Sequence, residues 1–162
     1  MRIMAIDPGD VDSGYVIMEG YKPIKFGKLS NTELLNIITL NANDLDMVVI
    51  EMIASYGKAV GANVHETTFW VGQFYRHAVN MGVNVDRIYR MEEKMAICHD
   101  SRAKDTNIRT ALIDRFADHD KKGGKGTKTN PDWFYGFKAD VWMAYAVGVT
   151  YLDKKQKEII ER

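Results

Sequence analysis

Apolar and polar positions follow two different periods along the chain, one typical of strands and one of helices. Five segments have the length and apolar character of β-strands: residues 2–7, 13–19, 23–29, 46–51 and 83–89. The apolar centre of residues 46–51 is uninterrupted, which is typical of a parallel strand that is covered on both faces. Pro8-Gly9 ends the first segment, and Gly20-Tyr21-Lys22 forms a tight connection between the next two.

Helical spacing of apolar residues predicts helices between and after these strands. The predicted helices cover residues of about 31–40, 65–81, 108–116 and 138–154. Ser30 followed by Glu33 is a capping-box pattern at the start of the first helix. The final helix is apolar nearly all round, so we expect it to be buried against the sheet. Three strands, a helix and then alternating strands and helices predict an α/β fold with a mixed five-stranded sheet flanked by helices.

Length and composition fit a single domain over residues 1–162, with a flexible basic loop at about 118–130. The 22 basic and 22 acidic residues give a formal net charge of zero, so bulk charge does not indicate a nucleic-acid partner. Cys98 is the only cysteine, which excludes an intrachain disulfide and favours a reducing, cytoplasmic setting. The sequence contains no apolar run long enough to span a bilayer, and we expect no signal peptide.

Three acidic residues abut the predicted hydrophobic core. Asp7 and Glu51 end two strands, and Asp140 opens the final helix. If the two strands are adjacent and parallel, their carboxyl ends lie at the same edge, where open α/β sheets place ligands. Carboxylate oxygens suit hard cations such as Mg²⁺, with Mn²⁺ as a substitute. The alternative, that the three residues cap a turn, end a strand and cap a helix, stays open on this pattern alone.

Four motifs follow one another along the chain: AIDPGDVDSGYV at 5–16, VVIE at 48–51, Gly72-Gln73, and ADVWMAYAV at 139–147. In this order they resemble the motifs of RuvC-type Holliday junction resolvases of the RNase H-like superfamily, and the resemblance covers residues of about 3–152. The segment from Glu51 to Trp70 is most similar to phage-encoded members, which act in the host cytoplasm. The resemblance implies a homodimer that cleaves four-way junctions and other branched DNA by two-metal hydrolysis, with Asp7, Glu51 and Asp140 as metal ligands.

The chain departs from the family at one position of the final helix. RuvC-type enzymes usually carry a second acid three residues after the first, and Met143 stands there. Three possibilities follow. Three carboxylates are enough for activity in this branch, or Asp10, Asp12 or Asp132 supplies a further metal ligand, or activity is weak or lost. We favour the first of these.

The resemblance also implies residues that contact DNA. Lys94 and Lys104 match lysines that bind phosphates or assist catalysis, although each is equally well explained as a solvated helix residue. Tyr56 lies where family members often place an aromatic residue that stacks on an unpaired base. The remaining candidate contacts with the DNA backbone are Lys58, Lys121, Lys122 and Lys125.

Other functions compete with the resolvase hypothesis. Met143 suggests a junction-binding protein without catalysis, and the fold also suits a nuclease that acts on RNA–DNA hybrids or flaps. The segment IDPGDVDSG resembles the phosphate-binding hairpin of actin-like ATPases, whose second lobe has no counterpart here. Trp70, Phe74 and Met81 form an apolar stripe that fits either a dimer interface or the core of the monomer.

Overall fold

A single mixed sheet organises residues 1–161, which are the residues that the computed structural model describes. Within them five strands lie in the order β3-β2-β1-β4-β5. They are β1 (Arg2–Asp7), β2 (Asp12–Glu19), β3 (Lys22–Ser30), β4 (Met47–Met52) and β5 (Asn84–Tyr89). The first three form an antiparallel meander, and β4 and β5 run parallel to β1. The predicted mixed five-stranded sheet is confirmed.

The pairing of β1 with β4 sets the position of the acidic residues. These strands are parallel neighbours, and Ile6 lies opposite Ile50. The next residue of each strand is Asp7 and Glu51, so both carboxylates emerge at the same edge. The middle of β4 (Val48, Val49 and Ile50) is fully buried, as its uninterrupted apolar run predicts.

Helices cover both faces of the sheet. They are α1 (Asn31–Asn41), α2 (Ala62–Asn80), α3 (Arg90–Glu93), α4 (Asp105–Phe116) and α5 (Ala139–Ile160), with a 3₁₀ turn at Ala42–Asp44 and a π-helical turn at Lys94–Cys98. Ser30 caps α1 as predicted, because its Oγ accepts the backbone N–H of Glu33 at 3.3 Å. The predicted helices are present with shifted ends. The segment Arg90–Cys98 was not predicted to be helical, because a four-residue α-helix that continues into a five-residue π-helical turn shows no regular helical period.

Two apolar cores lie on opposite faces of the sheet. Alternate residues of β1 point to each core: Ile3 and Ala5 pack with α4 and α5, while Met4 and Ile6 pack with α1 and α2. Helix α5 is buried as its sequence predicts, from Val141 to Leu152 with few exceptions. In the described chain, no helix is both long and apolar enough to cross a membrane.

The apolar stripe of α2 divides between core and surface. Phe74 is fully buried, Trp70 packs against the same core, and Met81 is 39% exposed. Three other large apolar residues of α2, Phe69, Tyr75 and Val79, are exposed instead. Core packing therefore accounts for most of the predicted stripe.

The polar segment 118–130 has a hydrogen-bonded frame. The buried carboxylate of Asp132 accepts the backbone N–H groups of Asp118, His119, Asp120 and Trp133 at 2.6–3.0 Å. Asp120 accepts the backbone N–H groups of Gly123, Lys125 and Gly126 at 3.0–3.1 Å. This frame restrains the segment, and its predicted flexibility stays a prediction. Because Asp132 serves this loop, it is not available as an additional acid for Asp7 and Glu51.

Candidate functional site

Asp7 and Glu51 form a carboxyl pair at the carboxyl ends of adjacent parallel strands. Burial raises the pKa of Asp7 to about 8, and the charge of Glu51 together with a hydrogen bond to it adds to the rise. Burial also raises the pKa of Glu51, whose side chain is 16% exposed. Asp7 therefore keeps a proton near neutral pH and donates it to Glu51. Such a shared proton holds together two acids that would otherwise repel each other.

Asp140 reaches this pair because a glycine allows α5 to begin close to the sheet. Asp7 lies opposite Gly14 in the β1–β2 register. A Cβ atom on Gly14 would lie 2.6 Å from the backbone oxygen of Asp140. The charge of Asp140 also raises the pKa of Asp7. The three acids predicted from the sequence therefore lie at one site, and their role as metal ligands stays a prediction.

A buried polar network fixes the turn that follows Asp7. Ser13 donates its hydroxyl to Asn31 Oδ1 at 2.6 Å and accepts the backbone N–H of Gly9 at 3.0 Å. Asn31 Nδ2 donates to the carbonyl of Gly9 at 3.0 Å. These bonds pair the polar groups that the turn buries, and they hold the end of β1 against α1. Ser13 and Asn31 are positioning residues that the sequence analysis missed.

Two cations lie against the acids, and neither was predicted. Lys28 Nζ lies 2.6 Å from Asp140 Oδ2 and is half-exposed. Arg90 directly follows β5 and contacts Glu93 at 2.8 Å, Glu51 at 4.0 Å and also Asp105. The edge argument that found Glu51 applies equally to β5 and would have found Arg90. Lys28 lies opposite Gly14 in the β2–β3 register, so only the strand pairing reveals it.

A fourth acid, Glu93, is also part of this region and was missed. Its side chain is fully buried, and Arg90 Nη1 donates to its Oε2 at 2.8 Å. Burial raises the pKa of Glu93 well above its usual value, and the charges of Glu51 and Asp7 raise it further. Its only signal in the sequence is its place in MEEK, just after β5.

The oxygen atoms of Asp7, Glu51, Asp140 and Glu93 are of the type that divalent cations such as Mg²⁺ prefer. One of them, Glu93 Oε1, is buried without a hydrogen-bond partner. Across residues 1–161, however, no three His, Cys, Asp or Glu side chains are arranged so that they could hold a metal ion. In this arrangement Lys28 pairs with Asp140, Arg90 pairs with Glu93, and Asp7 is hydrogen-bonded to Glu51.

The predicted lysines do not contact the acids. Lys94 is half-buried on the π-helical turn, and Lys104 is exposed at the start of α4. In the described chain neither forms an ion pair with Asp7, Glu51 or Asp140. Met143 instead contacts Arg90, with its Sδ 2.9 Å from Nη2. Asp10 and Asp12, the other proposed substitutes for a fourth acid, are exposed.

The predicted DNA contacts lie in two exposed segments. Tyr56 is 63% exposed with a positive φ of 47°, and Lys58 is exposed in the same connection between β4 and α2. Lys121 and Lys122 are exposed and Lys125 is half-buried in the 118–130 loop. The ammonium group of Lys121 bonds the carbonyl of Ala117.

Two grooves meet at Asp140. The larger, of about 460 Å³, includes Lys28, Lys138 and Phe26 in its lining. The smaller, of about 220 Å³, includes Arg109 and Met143, and the Arg109 guanidinium lies 4.8 Å from the centre of the Trp142 ring. Cationic walls on both sides of an acidic centre suit a phosphate backbone that passes over it.

Comparison with known proteins gives a likeness in fold. No protein-family model matches the sequence, and neither does any curated protein. The structure is similar to that of Thermus thermophilus RuvC, with a TM-score of 0.68 and 16% identity over 98% of this chain and 97% of that chain. It is equally similar to T. thermophilus RuvC in complex with a Holliday junction substrate, with a TM-score of 0.68 and 15% identity over 98% and 96% of the two chains. The fold is therefore RNase H-like, of the RuvC type.

Proposed function

We propose that this protein is a Mg²⁺-dependent endonuclease that cuts branched DNA, chiefly four-way junctions. One observation carries the proposal: Asp7 and Glu51 lie side by side and mostly buried at the carboxyl ends of adjacent parallel strands, with Asp140 beside them. The RuvC-type fold supports it, and the T. thermophilus relative has been solved with a Holliday junction.

The three acids would hold the cation. Asp7 must first lose the proton that it donates to Glu51, because only the ionised carboxylate is a good ligand. Bound divalent ions would supply activation of water and neutralisation of charge on the phosphate. The protein contributes a rigid placement, since Gly14 and the Ser13–Asn31 network fix the backbone on which Asp7 and Asp140 sit.

The cations around the acids would bind the DNA backbone. Lys28 and Lys138 line one groove and Arg109 the other, so phosphates on either side of the cleaved bond have a cationic wall. We keep Lys94 and Lys104 as candidate catalytic lysines and Tyr56 as the candidate stacking residue. Lys58, Lys121, Lys122 and Lys125 would extend the contact, and affinity should fall with salt.

A symmetric junction needs two cuts, which favours a C2 homodimer. The exposed apolar residues of α2, Phe69, Tyr75 and Val79, lie on the surface that we propose for it. A phage-encoded origin rests on the segment from Glu51 to Trp70 alone and stays a prediction.

The test is cleavage of an end-labelled four-way junction with Mg²⁺ or Mn²⁺, beside matched duplex, flap, single-stranded and RNA–DNA hybrid substrates. We expect paired cuts in the junction by the wild-type protein and none by Asp7→Asn or Glu51→Gln. Equal cleavage by the wild type and by Asp7→Asn would exclude this site as the catalytic centre. Preference for the hybrid or flap would identify another RNase H-like nuclease.

Met143 favours one second candidate, a junction-binding protein without catalysis. Its thioether offers no hard oxygen ligand where the family usually has an acid. That function predicts tight junction binding in a mobility-shift assay, unchanged by Mg²⁺, with no product from any substrate.

A further inference from the structure

Glu93 is a buried carboxylate with an unused ligand atom. Its side chain has no solvent exposure. Oε2 accepts a hydrogen bond from Arg90, whereas Oε1 is buried without any partner. Leaving a buried carboxyl oxygen unpaired is unfavourable, and most buried polar atoms in folded proteins are hydrogen-bonded. This oxygen is therefore free to bind a ligand.

The backbone brings Glu93 to the same edge of the sheet as the other acids. Strand β5 runs parallel to β4, with Ile88 opposite Glu51 and Tyr89 opposite Met52. Helix α3 begins directly after β5 and ends at Glu93. One nitrogen of Arg90, Nη1, lies 2.8 Å from Glu93 Oε2 and 4.0 Å from Glu51 Oε2. Glu93 therefore shares a counter-charge with the acid that ends β4.

Arg90 links Glu93 to the position where an acid is missing. It donates to Glu93 through Nη1, and its Nη2 lies 2.9 Å from the sulfur of Met143. Met143 is one helical turn beyond Asp140, where resemblance to the family leads one to expect a further carboxylate. Position 143 of α5 thus has no carboxylate, whereas Glu93 has one on the other side of the same guanidinium.

We propose that Glu93 supplies the fourth carboxylate of the cation centre, from the helix after β5 instead of from α5. In the cation-free protein Arg90 neutralises Glu93, and Asp105 is a second carboxylate that Arg90 already contacts. This assignment rests on the proposed function, since it requires that Asp7, Glu51 and Asp140 bind a divalent cation. It accounts for an enzyme of this fold that lacks the acid at residue 143.

The test measures Mn²⁺ binding to the whole protein through the electron paramagnetic resonance signal of the Mn²⁺ that remains free. Four proteins are compared: wild type, Glu93→Gln, Asp7→Asn and the matched control Asp114→Asn, which removes an exposed carboxylate from α4. We expect the control to bind as the wild type does. Glu93→Gln should bind one ion fewer or bind at least about tenfold more weakly.

The outcomes separate this assignment from the proposed function. If Asp7→Asn weakens binding and Glu93→Gln binds like the wild type, Glu93 is not a ligand and the metal centre stands without it. If the wild type shows no binding that depends on Asp7, the metal centre itself is refuted and the assignment with it.

A second measurement does not depend on the folding of a variant. Wild-type crystals soaked in Mn²⁺ should show anomalous density within roughly 2.5 Å of a Glu93 carboxylate oxygen, a distance suited to a directly bound divalent ion. Density beside Asp7 and Glu51, with Glu93 bonded only to Arg90, would overturn the assignment.

Discussion

Two regions of this protein bury carboxylates and treat them in opposite ways. In the 118–132 loop, the Asp132 carboxylate receives backbone N–H groups from four residues, and these bonds hold its pKa well below the usual range. At the edge of the sheet, burial first and then the charges of neighbouring acids raise the pKa values of Asp7 and Glu93. Burial alone therefore does not identify a candidate functional carboxylate. The distinguishing feature is burial without enough hydrogen-bond donors to stabilise the negative charge of the carboxylate.

The two regions also differ in what explains them. Folding accounts for Asp132, because each hydrogen bond to a charged group contributes about 1.5–3 kcal/mol and here they organise a loop. Folding does not account for Asp7, Glu51 and Glu93, because their burial disfavours the ionised carboxylates. The cation that we propose would account for them.

The largest expected effect is on catalysis at the sheet edge. Replacing Glu51 with Gln keeps its size and removes the charge that would hold a cation, so junction cleavage should fall by at least about 1000-fold. Single-turnover cleavage of the labelled junction measures this. Far-UV circular dichroism of the variant should match the wild type, and a fall of less than tenfold would contradict the assignment.

The opposite region should respond in stability. Asp132→Ala leaves four backbone N–H groups without their acceptor, so the free energy of unfolding should fall by about 3 kcal/mol. Urea denaturation measures this loss, with the exposed Asp114→Ala expected to stay within about 0.5 kcal/mol of the wild type. Under conditions where Asp132→Ala is folded, Mn²⁺ should bind as in the wild type. Weakened binding there would remove the distinction between the two regions.

Gly14 tests how closely the acids must be placed. A methyl group on Gly14 meets the backbone of Asp140 at 2.6 Å, so Gly14→Ala should displace the start of α5. A displacement of about 1 Å is enough to lower the cleavage rate about 100-fold. Gly72→Ala is the stability control, because an added methyl group there meets nothing within 4 Å. Unchanged cleavage by Gly14→Ala would show that Asp140 needs no such placement.

The smallest expected effect is the dependence of stability on pH. The pKa of Asp7 is about 8 in the folded state and near 3.8 in the unfolded state, so folding favours its protonated form. Without a cation, the free energy of unfolding should therefore fall as pH rises from about 4 to about 8, by at least about 1 kcal/mol. The lowered pKa of Asp132 has the opposite sign, and its contribution is lost as pH falls below about 4.

Urea denaturation across this pH range separates the two contributions. Asp7→Asn should reduce the loss of stability between about pH 4 and about pH 8 and leave the loss below about pH 4 unchanged. An equally steep alkaline loss in Asp7→Asn would show that other groups cause it.

Patterns of apolar residues predicted the parts of the site that depend on whole strands. The runs ending at Asp7 and Glu51 placed both acids at one edge, because parallel neighbours share a carboxyl end. The buried final helix likewise brought in Asp140. Lys28 could not be predicted from the apolar pattern, because its position opposite Gly14 depends on the register between β2 and β3. Glu93 and Arg90 lie on a single turn of helix, which has no visible period.

Resemblance to a family was informative about the order of the motifs along the chain and less informative about side-chain contacts at the site. It selected Lys94 and Lys104, neither of which forms an ion pair with the acids in the described chain. Identity of about 16% to a protein of the same fold preserves the path of the backbone while side chains are replaced. The cations observed beside the acids are instead Lys28 and Arg90, which the resemblance did not predict.

The most direct test of a cation centre at the sheet edge is thermal unfolding at pH 8 with increasing Mg²⁺. A ligand at 100 times its dissociation constant stabilises the native state by about 2.7 kcal/mol, which for a chain of this size raises the Tm by roughly 5–10 °C. We predict such a rise for the wild type and for Asp114→Asn, and none for Asp7→Asn. A wild-type Tm that does not respond to Mg²⁺, or an equal rise in Asp7→Asn, would contradict the account.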